Sequence, residues 1–382
     1  MEHGIGLATD RGPVASIGID TWGVDYGLVD RTGRLVGPPF SYRDDRTSGF
    51  RDVLTRIGAE RLFDISGLQP HAFNTVFQLA VHRQDEVVRA SRLLMLPELL
   101  VYHLTGEMVG EYSSAGTTGL LDLDRRCWSD EVCSAAGIDM SVLPPLLPAT
   151  TRVGTWRGVP VHLVGGHDTA SAVVAMGAGA SADTAFVSAG TWLLVGREQD
   201  HADRSPAARR AFSNEIGALG GIRLLRNVSG FWVVDHCAAA WGTRRVPDLM
   251  SAAATSPLSG QVVDLTDARF VNPANMVAEY TAAARLPIGT DPAVVTRSIV
   301  ESMAWTCARV IADLDRPGDI ALFGGGARST LLAERLEAHT GLPVTVGPVE
   351  ATALGNALVQ GVAIGRFADL DDARGSLRAE PF

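Results

Sequence analysis

Cysteine is scarce in this 382-residue chain, and neither its cysteines nor its histidines are spaced like metal ligands. The four cysteines form no Cys-x-x-Cys pair, and the nine histidines never combine at helical ligand spacing with a third ligand close by. Zinc sites and disulfide scaffolds require such spacings. We therefore expect no metal site of Cys and His side chains, and we expect reduced structural thiols in a cytoplasmic protein. These thiols are Cys127, Cys133, Cys237 and Cys307.

The chain also lacks a positive charge excess and a long uninterrupted apolar run. It carries 33 Lys+Arg against 43 Asp+Glu, a formal net charge of -10. Binding to nucleic-acid phosphates needs a basic surface, so we expect no nucleic-acid partner. The most apolar stretch, residues 93–104, is interrupted by Pro97 and Glu98, and polar residues near Met1 leave no room for a signal segment. We expect that nothing crosses a membrane.

The length of the chain indicates about two domains. Residues 14–20 and 26–30 predict the two strands of a hairpin, and residues 51–147 show helical spacing that ends in a proline-rich stretch. Beyond residue 160, short apolar runs alternate with helical segments, which predicts an α/β fold with parallel strands and some antiparallel hairpins. We expect domains at residues 1–160 and 161–382. The predicted strands of the second are 161–164, 185–187, 193–195, 222–225, 320–323 and 344–346.

The clearest chemical signal is Asp168, which follows a predicted strand and opens a predicted helix in the segment 165–172. An aspartate in that place is most often a helix cap. However, the positive helix end stabilises a carboxylate by about 0.3–1 kcal/mol, and open α/β sheets bind ligands where their strands end. Asp168 could therefore also act as a base on a hydroxyl group. The neighbouring His167 could hydrogen-bond a sugar hydroxyl, or simply be satisfied by the backbone.

Two glycine-containing turns could bring backbone amides close to a phosphate. Residues 188–192 predict a strand-turn-strand with Gly190 and Thr191 at its tip, and residues 324–326 are three glycines between a strand and a helix predicted at 329–339. Each is also explained as an ordinary turn, and the triplet lacks the lysine of a Walker loop. Together with the aspartate they suggest phosphoryl transfer to an alcohol. Trp22 offers an aromatic wall for a polyhydroxylated ligand, unless it is buried between a helix and a sheet.

Further segments of the chain form a recognisable series with those described above. The full series is residues 16–25, 42–47, 73–75, 166–172, 188–192, 324–326 and 347–356. In order and spacing these segments resemble the rhamnulokinase branch of the FGGY carbohydrate kinases. The similarity runs from about residue 14 to the C-terminus, and it implies the actin-like fold, in which two ribonuclease-H-like domains hold a sugar and Mg-ATP. It also implies a kinase of rhamnose catabolism that transfers the γ-phosphoryl group of ATP to the C1 hydroxyl of L-rhamnulose.

The resemblance also implies roles for individual residues. Asp168 would accept the proton of the attacking hydroxyl. The implied sugar contacts are Gly23, His167, Asp168, Thr169 and Asn227. The implied ATP contacts are Thr191, Asp235 and Gly325. Two positions depart from the family pattern, because Asp235 stands where a glutamine is usual and Glu98 replaces a common aspartate after Pro97.

Members of the family begin with a strand that carries an aspartate and with a glycine-rich hairpin that grips the phosphates. The present sequence matches only from the helix after that hairpin, so we expect a first domain without its initial strands. Two alternatives therefore stay open. The protein could be an FGGY kinase for another ketose or polyol, because a few pocket residues set that choice. It could also be a sugar-binding protein whose catalysis is impaired by the missing hairpin.

Overall fold

The computed structural model of the chain describes residues 1–177, 181, 183–242 and 245–377. They group into two compact units. The first unit contains the described residues up to 177, residues 200–223 and the residues from 352 onward. The second contains the described residues between 181 and 199 and between 224 and 351. The predicted division of the chain at residue 160 stays a prediction.

The first unit combines many short helices with short strands. Its α-helices are Glu2–Arg11, Phe50–Ile57, Ala59–Ser66, Thr75–Ala80, Gln84–Arg89, Leu96–Thr105, Tyr112–Ala115, Asp130–Ala136, Asp168–Val174, Pro206–Ala211, Leu370–Ser376 and, from residue 352 on, Ala351–Ala363. Its 3-10 helices are Asp45–Thr47 and Met140–Val142. Its strands are Tyr26–Asp30, Ala90–Met95, Gly110–Glu111, Leu121–Asp122, Cys127–Trp128, Leu146–Leu147, Arg152–Trp156, Val159–His162, Ser213–Gly217 and the start of Gly220–Ser229.

The predicted hairpin of residues 14–20 and 26–30 is wrong in its pairing. The strand Tyr26–Asp30 forms, but it pairs antiparallel with Ala90–Met95. Residues 14–20 instead run parallel to a later segment through a bridge between Ile17 and Val161, and Ile17 packs there in a buried apolar cluster. An alternating or apolar pattern predicts that a segment is extended and buried, but it does not select the partner strand.

The second unit is organised around one sheet. Thr184–Ala189 pairs antiparallel with Trp192–Gln199 and parallel with Asp319–Phe323, which in turn pairs parallel with Val344–Val346. The later half of Gly220–Ser229 lies on the other side of Trp192–Gln199. The central strands are buried on both faces, as their continuous apolar sequences require. These pairings confirm the predicted α/β class, with parallel strands and an antiparallel hairpin.

Helices connect and cover the strands of the second unit. Thr330–Thr340 joins the two parallel strands at the edge of the sheet and confirms the helix predicted there. The longest helix, Pro292–Ala312, begins where the side chain of Asp291 accepts the N–H of Ala293. The remaining α-helices are Phe231–Ala240, Val246–Thr255 and Met276–Ala283, and the 3-10 helices are Ala268–Phe270 and Gly325–Arg328.

All four cysteines are free thiols, and three of them are buried. No helix in the described part of the chain combines the length and apolarity that a bilayer crossing needs.

Candidate active site

Asp168 is the first residue of the helix Asp168–Val174 in the first unit. Backbone hydrogen bonds fix it in place, since its N–H donates to the carbonyl of Thr21 at 2.8 Å and the N–H of Thr21 donates to Gly166 at 3.0 Å. The interpretation of Asp168 as a helix cap is wrong. The N-cap residue is His167, and its side chain forms no capping hydrogen bond. The carboxylate is 42% exposed and therefore accessible to a substrate.

His167 is held by side chains rather than by the backbone. Its Nδ1 lies 3.3 Å from Oε2 of Glu215 and 3.2 Å from Nη2 of Arg223. Its Nε2 lies 3.5 Å from Oδ1 of Asp168. When Nδ1–H donates to Glu215, Nε2, on the side of Asp168, is a hydrogen-bond acceptor. When Nδ1 accepts from Arg223, Nε2–H is a donor, and in both tautomers Nε2 can bind a substrate hydroxyl.

Glu215 and Arg223 form a buried ion pair behind this histidine. Arg223 is fully buried and donates to Oε2 of Glu215 at 3.0 Å and to the carbonyl of Ile216 at 3.2 Å. Burial favours the neutral form of Glu215, but the Arg223 guanidinium and His167 outweigh it and hold the pKa of this carboxyl below its usual value. The imidazole therefore rests against a carboxylate that stays charged and in place.

A second carboxylate, Asp20, lies at the end of the extended segment that precedes Thr21. The amide of Asn356 donates to its Oδ2, and Gln360 donates to Oδ1 of Asn356 at 2.6 Å. Burial raises the pKa of Asp20 to about 6, the Asn356 amide opposes this rise, and the charge of Asp168 adds to it. The two carboxylates are thus close enough to influence each other electrostatically.

Trp22 and Gly23 follow directly on this segment. Trp22 is 50% exposed and its indole N–H donates to Oδ2 of Asp25 at 2.8 Å, so the interpretation of a buried tryptophan is wrong. A Cβ atom added at Gly23 would lie 2.9 Å from the methyl group of Thr117, closer than real Cβ contacts allow. Glycine is therefore required here by the close approach of Thr117, whose hydroxyl also accepts the N–H of Val24 at 3.1 Å.

Two further segments of the resemblance support the backbone just after Gly23. The hydroxyl of Thr75 donates to the carbonyl of Val24 at 2.8 Å, and the amide of Gln78 donates to the same carbonyl at 3.1 Å. Arg46 in turn donates to Oε1 of Gln78 at 2.7 Å. Motifs far apart in sequence therefore converge on one loop, which presents the exposed indole.

In the second unit, the Thr191 turn and the glycine triplet lie against the same residue, Ala189. A Cβ atom added at Gly324, whose φ is +88°, would lie 2.9 Å from the Ala189 carbonyl, and one added at Gly326 would lie 2.8 Å from the Ala189 side chain. At Gly325 an added Cβ would meet nothing within 4 Å, so its backbone faces open space. The predicted ATP contacts Thr191 and Gly325 thus lie on neighbouring loops.

The remaining predicted ligand contacts are Asn227, Asp235 and Thr169. Asn227 lies on the strand Gly220–Ser229, and its buried Oδ1 has no hydrogen-bond partner within the described residues. A buried acceptor without a partner is costly, which is consistent with a ligand group that completes it. Asp235 lies on Phe231–Ala240, the helix that begins at the Thr191 turn. Thr169 is buried beside Asp168, and its hydroxyl donates to Oδ1 of Asp168 at 3.2 Å.

The sequence matches the two domains that define a family of sugar kinases. Residues 7–183 match the N-terminal domain of the FGGY family of carbohydrate kinases, and residues 185–364 match its C-terminal domain. The chain belongs to the FGGY family of carbohydrate kinases. It is accordingly an ATP-dependent sugar kinase, as the motifs predicted.

Curated relatives of this FGGY kinase carry the name rhamnulokinase. The relative from Pectobacterium carotovorum is 36% identical over 376 residues, which cover 93% of this chain and 75% of the relative. The relative from Bacteroides thetaiotaomicron is 34% identical over 396 residues, which cover 97% of this chain and 81% of the relative. The match to the rhamnulokinase branch, predicted from the motifs, is confirmed.

Solved structures show the fold of this FGGY kinase. A xylulose kinase from Lactobacillus acidophilus superimposes with a TM-score of 0.76 at 16% identity and covers 96% of this chain and 79% of its own. Plasmodium falciparum glycerol kinase with ADP superimposes with a TM-score of 0.77 at 14% identity and covers 100% of this chain and 82% of its own. The predicted actin-like, two-domain α/β fold is confirmed.

Sequence reasoning missed three charged residues of the site. Asp20 ends a predicted strand, so the rule that singled out Asp168 would also have selected it. Glu215 and Arg223 carried no such signal, because they lie near His167 only in the folded chain.

Proposed function

We propose that this FGGY kinase transfers the γ-phosphoryl group of ATP to the C1 hydroxyl of L-rhamnulose and releases L-rhamnulose 1-phosphate and ADP. The observation that carries the choice of sugar is the similarity to rhamnulokinases at 34–36% identity over nearly the whole chain. The proposal places the reaction in rhamnose catabolism.

Asp168 is the proposed base. Its carboxylate accepts the proton of the C1 hydroxyl as that oxygen forms a bond to the γ-phosphorus. The bond between the γ-phosphorus and the bridging oxygen breaks, and its electron pair leaves with ADP. A base positioned in this way accelerates a reaction about 10² to 10⁴-fold. The 42% exposure of the side chain and its freedom from capping support this role.

His167 is the proposed partner of Asp168 in binding the sugar. Glu215, itself fixed by Arg223, orients the imidazole through Nδ1 and leaves Nε2 for a sugar hydroxyl. Buried, charge-assisted hydrogen bonds of this kind hold a ring in one orientation, which lowers the entropy lost when the sugar binds.

The other binding roles follow the family pattern. The proposed sugar contacts are Gly23, His167, Asp168, Thr169 and Asn227. The proposed ATP contacts are Thr191, Asp235 and Gly325. The open backbone of Gly325 and the exposed hydroxyl of Thr191 suit a nucleotide phosphate, whereas Asp235 brings a negative charge where the family has a neutral amide.

Mg²⁺ is the proposed metal, and it enters with the nucleotide. No group of three His, Cys, Asp or Glu side chains in the described ranges is arranged to hold a metal ion by itself. Mg²⁺ commonly binds through substrate phosphates and water with few protein ligands. When bound, it neutralises phosphate charge. The need for ATP places the proposed reaction in the cytoplasm.

Coupled ADP release with a panel of sugars tests the proposal. We expect the highest kcat/KM with L-rhamnulose and clearly lower values with L-fuculose, D-xylulose and glycerol. A preference for any of the last three would replace the proposed sugar. Binding of L-rhamnulose in calorimetry without any ADP release would instead support a sugar-binding protein.

A further inference from the structure

Two buried glutamates lie beneath the loop that carries Asp168. Glu98, in the first turn of the helix Leu96–Thr105, and Glu111, at the end of the strand Gly110–Glu111, are each only 1% exposed. Acidic side chains are almost never fully buried unless they are paired or hydrogen-bonded. Neither has a role in the chemistry proposed above, and Glu98 is a position where the sequence departs from the family.

Glu111 holds the backbone of the loop directly. Its Oε2 accepts the N–H of Gly166 at 3.0 Å, together with the N–H groups of Ser113 at 2.9 Å and Ser114 at 3.3 Å and the hydroxyl of Ser113. The carbonyl of Gly166 is bound from the other side by the N–H of Thr21. Gly166 is therefore clamped through both of its peptide polar groups, two residues before Asp168.

Glu98 reaches the same place. Its Oε1 accepts the backbone N–H of Glu111 at 3.1 Å. A Cβ atom added at Gly166 would lie 3.2 Å from Oε1 of Glu98 and 3.3 Å from Oε2 of Glu111, and it would overlap the hydroxyl of Ser114. The two carboxyl groups therefore lie against one point of the loop backbone, and only glycine fits there.

Charge decides how the pair is protonated. In the described parts of the chain, Oε2 of Glu98 and the hydroxyl of Ser114 are both buried without another hydrogen-bond partner, and the two side chains interact with each other. Among the charged groups nearby, the half-buried Arg126 interacts electrostatically with Glu111, and also with Tyr112 and Asp124. Two adjacent buried carboxylates do not both stay ionised, and hydrogen-bond donors favour the charged form of the group they contact. Burial raises the pKa of Glu111 too, but the donors of Ser113, Ser114 and Gly166 oppose this rise. Because more donors contact Glu111 than Glu98, the proton belongs on Glu98.

We propose that Glu98 and Glu111 are positioning residues: the carboxylate of Glu111 holds Gly166, a neutral carboxylic acid on Glu98 holds the backbone of Glu111, and the pair thereby sets the position of Asp168. The inference rests on the proposed function, because it needs Asp168 as the base.

The pair also makes the stability and the kcat/KM of the kinase depend on pH. Burial, and then the charge of Glu111, raises the pKa of Glu98 from 4.5 to about 8. Because the folded-state pKa is raised, the contribution of Glu98 to stability is fully present below its ordinary pKa and is lost as pH rises through about 8. Loss of the proton places two charges under the loop, so Asp168 is displaced and kcat/KM falls on the alkaline side.

The test compares Glu98→Gln and Glu111→Gln with the control Glu107→Gln, which makes the same change at an exposed site between the same helix and strand. Glutamine mimics a protonated glutamate. We expect Glu98→Gln to lower kcat/KM at pH 7 by no more than about threefold, the effect of one weakened hydrogen bond, and to abolish the alkaline fall. We expect Glu111→Gln to lower kcat about 100-fold with the KM for ATP unchanged, because displacing Asp168 by about 1 Å is enough to slow the reaction that much. The control matches the unmodified protein at every pH.

Equal losses in Glu98→Gln and Glu111→Gln, or an alkaline fall that persists in Glu98→Gln, would overturn the inference. If Glu98→Gln does not fold, the infrared band of a buried protonated carboxyl in the unmodified protein decides. It must be present at pH 7 and disappear as pH rises through about 8, and its absence at pH 7 refutes the proton on Glu98. An active Asp168→Asn variant would refute the proposed base but would leave the infrared band of Glu98 unchanged, so the two failures can be told apart.

Discussion

Replacing Asp168 by asparagine removes the proposed base and keeps the shape of the side chain. We expect kcat to fall about 10² to 10⁴-fold, which corresponds to roughly 3–5 kcal/mol of transition-state stabilisation. Stability should hardly change, because the side chain is 42% exposed and its contacts within the described residues are the Thr169 hydroxyl at 3.2 Å and Nε2 of His167 at 3.5 Å. Loss of a charge at a helix N-terminus costs about 0.3–1 kcal/mol at an exposed site.

Asp130→Asn is the matched control for this experiment. Asp130 is likewise the exposed first residue of a seven-residue helix, as Asp168 is. ADP release measures kcat, calorimetry measures L-rhamnulose binding, and urea denaturation measures the free energy of unfolding. We expect only Asp168→Asn to lose turnover, with sugar affinity changed by no more than a few-fold. Turnover of Asp168→Asn within about threefold of the control, well short of the factor expected for a base, would refute the reasoning.

Three further predictions follow from the same contacts. Burial raises the pKa of Asp20 to about 6, so its contribution to stability is lost as pH rises through that value. Between pH 4 and 7, the free energy of unfolding of Asp20→Asn, measured by urea titration, should therefore rise by up to about 3 kcal/mol relative to that of the unmodified protein. Parallel curves of unfolding free energy against pH for the two proteins would contradict this. The added methyl group of Gly326→Ala would overlap the ring of Phe231 and should cost about 1–3 kcal/mol of stability. The methyl group of Gly325→Ala has space, so this variant should only raise the KM for ATP. An unchanged KM would remove Gly325 from the nucleotide site. Arg223→Met leaves Glu215 buried without its guanidinium partner and should lower the free energy of unfolding in urea by about 3–5 kcal/mol, and an unchanged free energy of unfolding would contradict this.

The strands of the second unit could be predicted from the sequence because each is an apolar run between turns. Thr184–Ala189, Asp319–Phe323 and Val344–Val346 all appear where the sequence places them. The pairing of residues 14–20 could not be predicted. Their apolar pattern specifies burial, while the partner is selected by contacts with Val161, about 140 positions further along the chain.

The candidate site also contains some residues that the sequence could predict and others that it could not. Asp168 and His167 lie in a local motif whose residue types and position after a strand indicate chemistry. The groups that orient them are distant in sequence, as Arg223 is 56 positions from His167. Glu98 and Glu111 approach the Asp168 loop only because a helix and a short strand bring them beneath Gly166. Such contacts depend on tertiary structure, which local patterns do not encode.

Nuclear magnetic resonance of the product made from ATP and L-rhamnulose tests the central claim most directly. We predict a phosphorus signal coupled to the protons on C1, with one ADP formed for each sugar phosphate, and no such product from Asp168→Asn. Phosphate attached to another carbon, or inorganic phosphate as the only product, would contradict the proposed reaction.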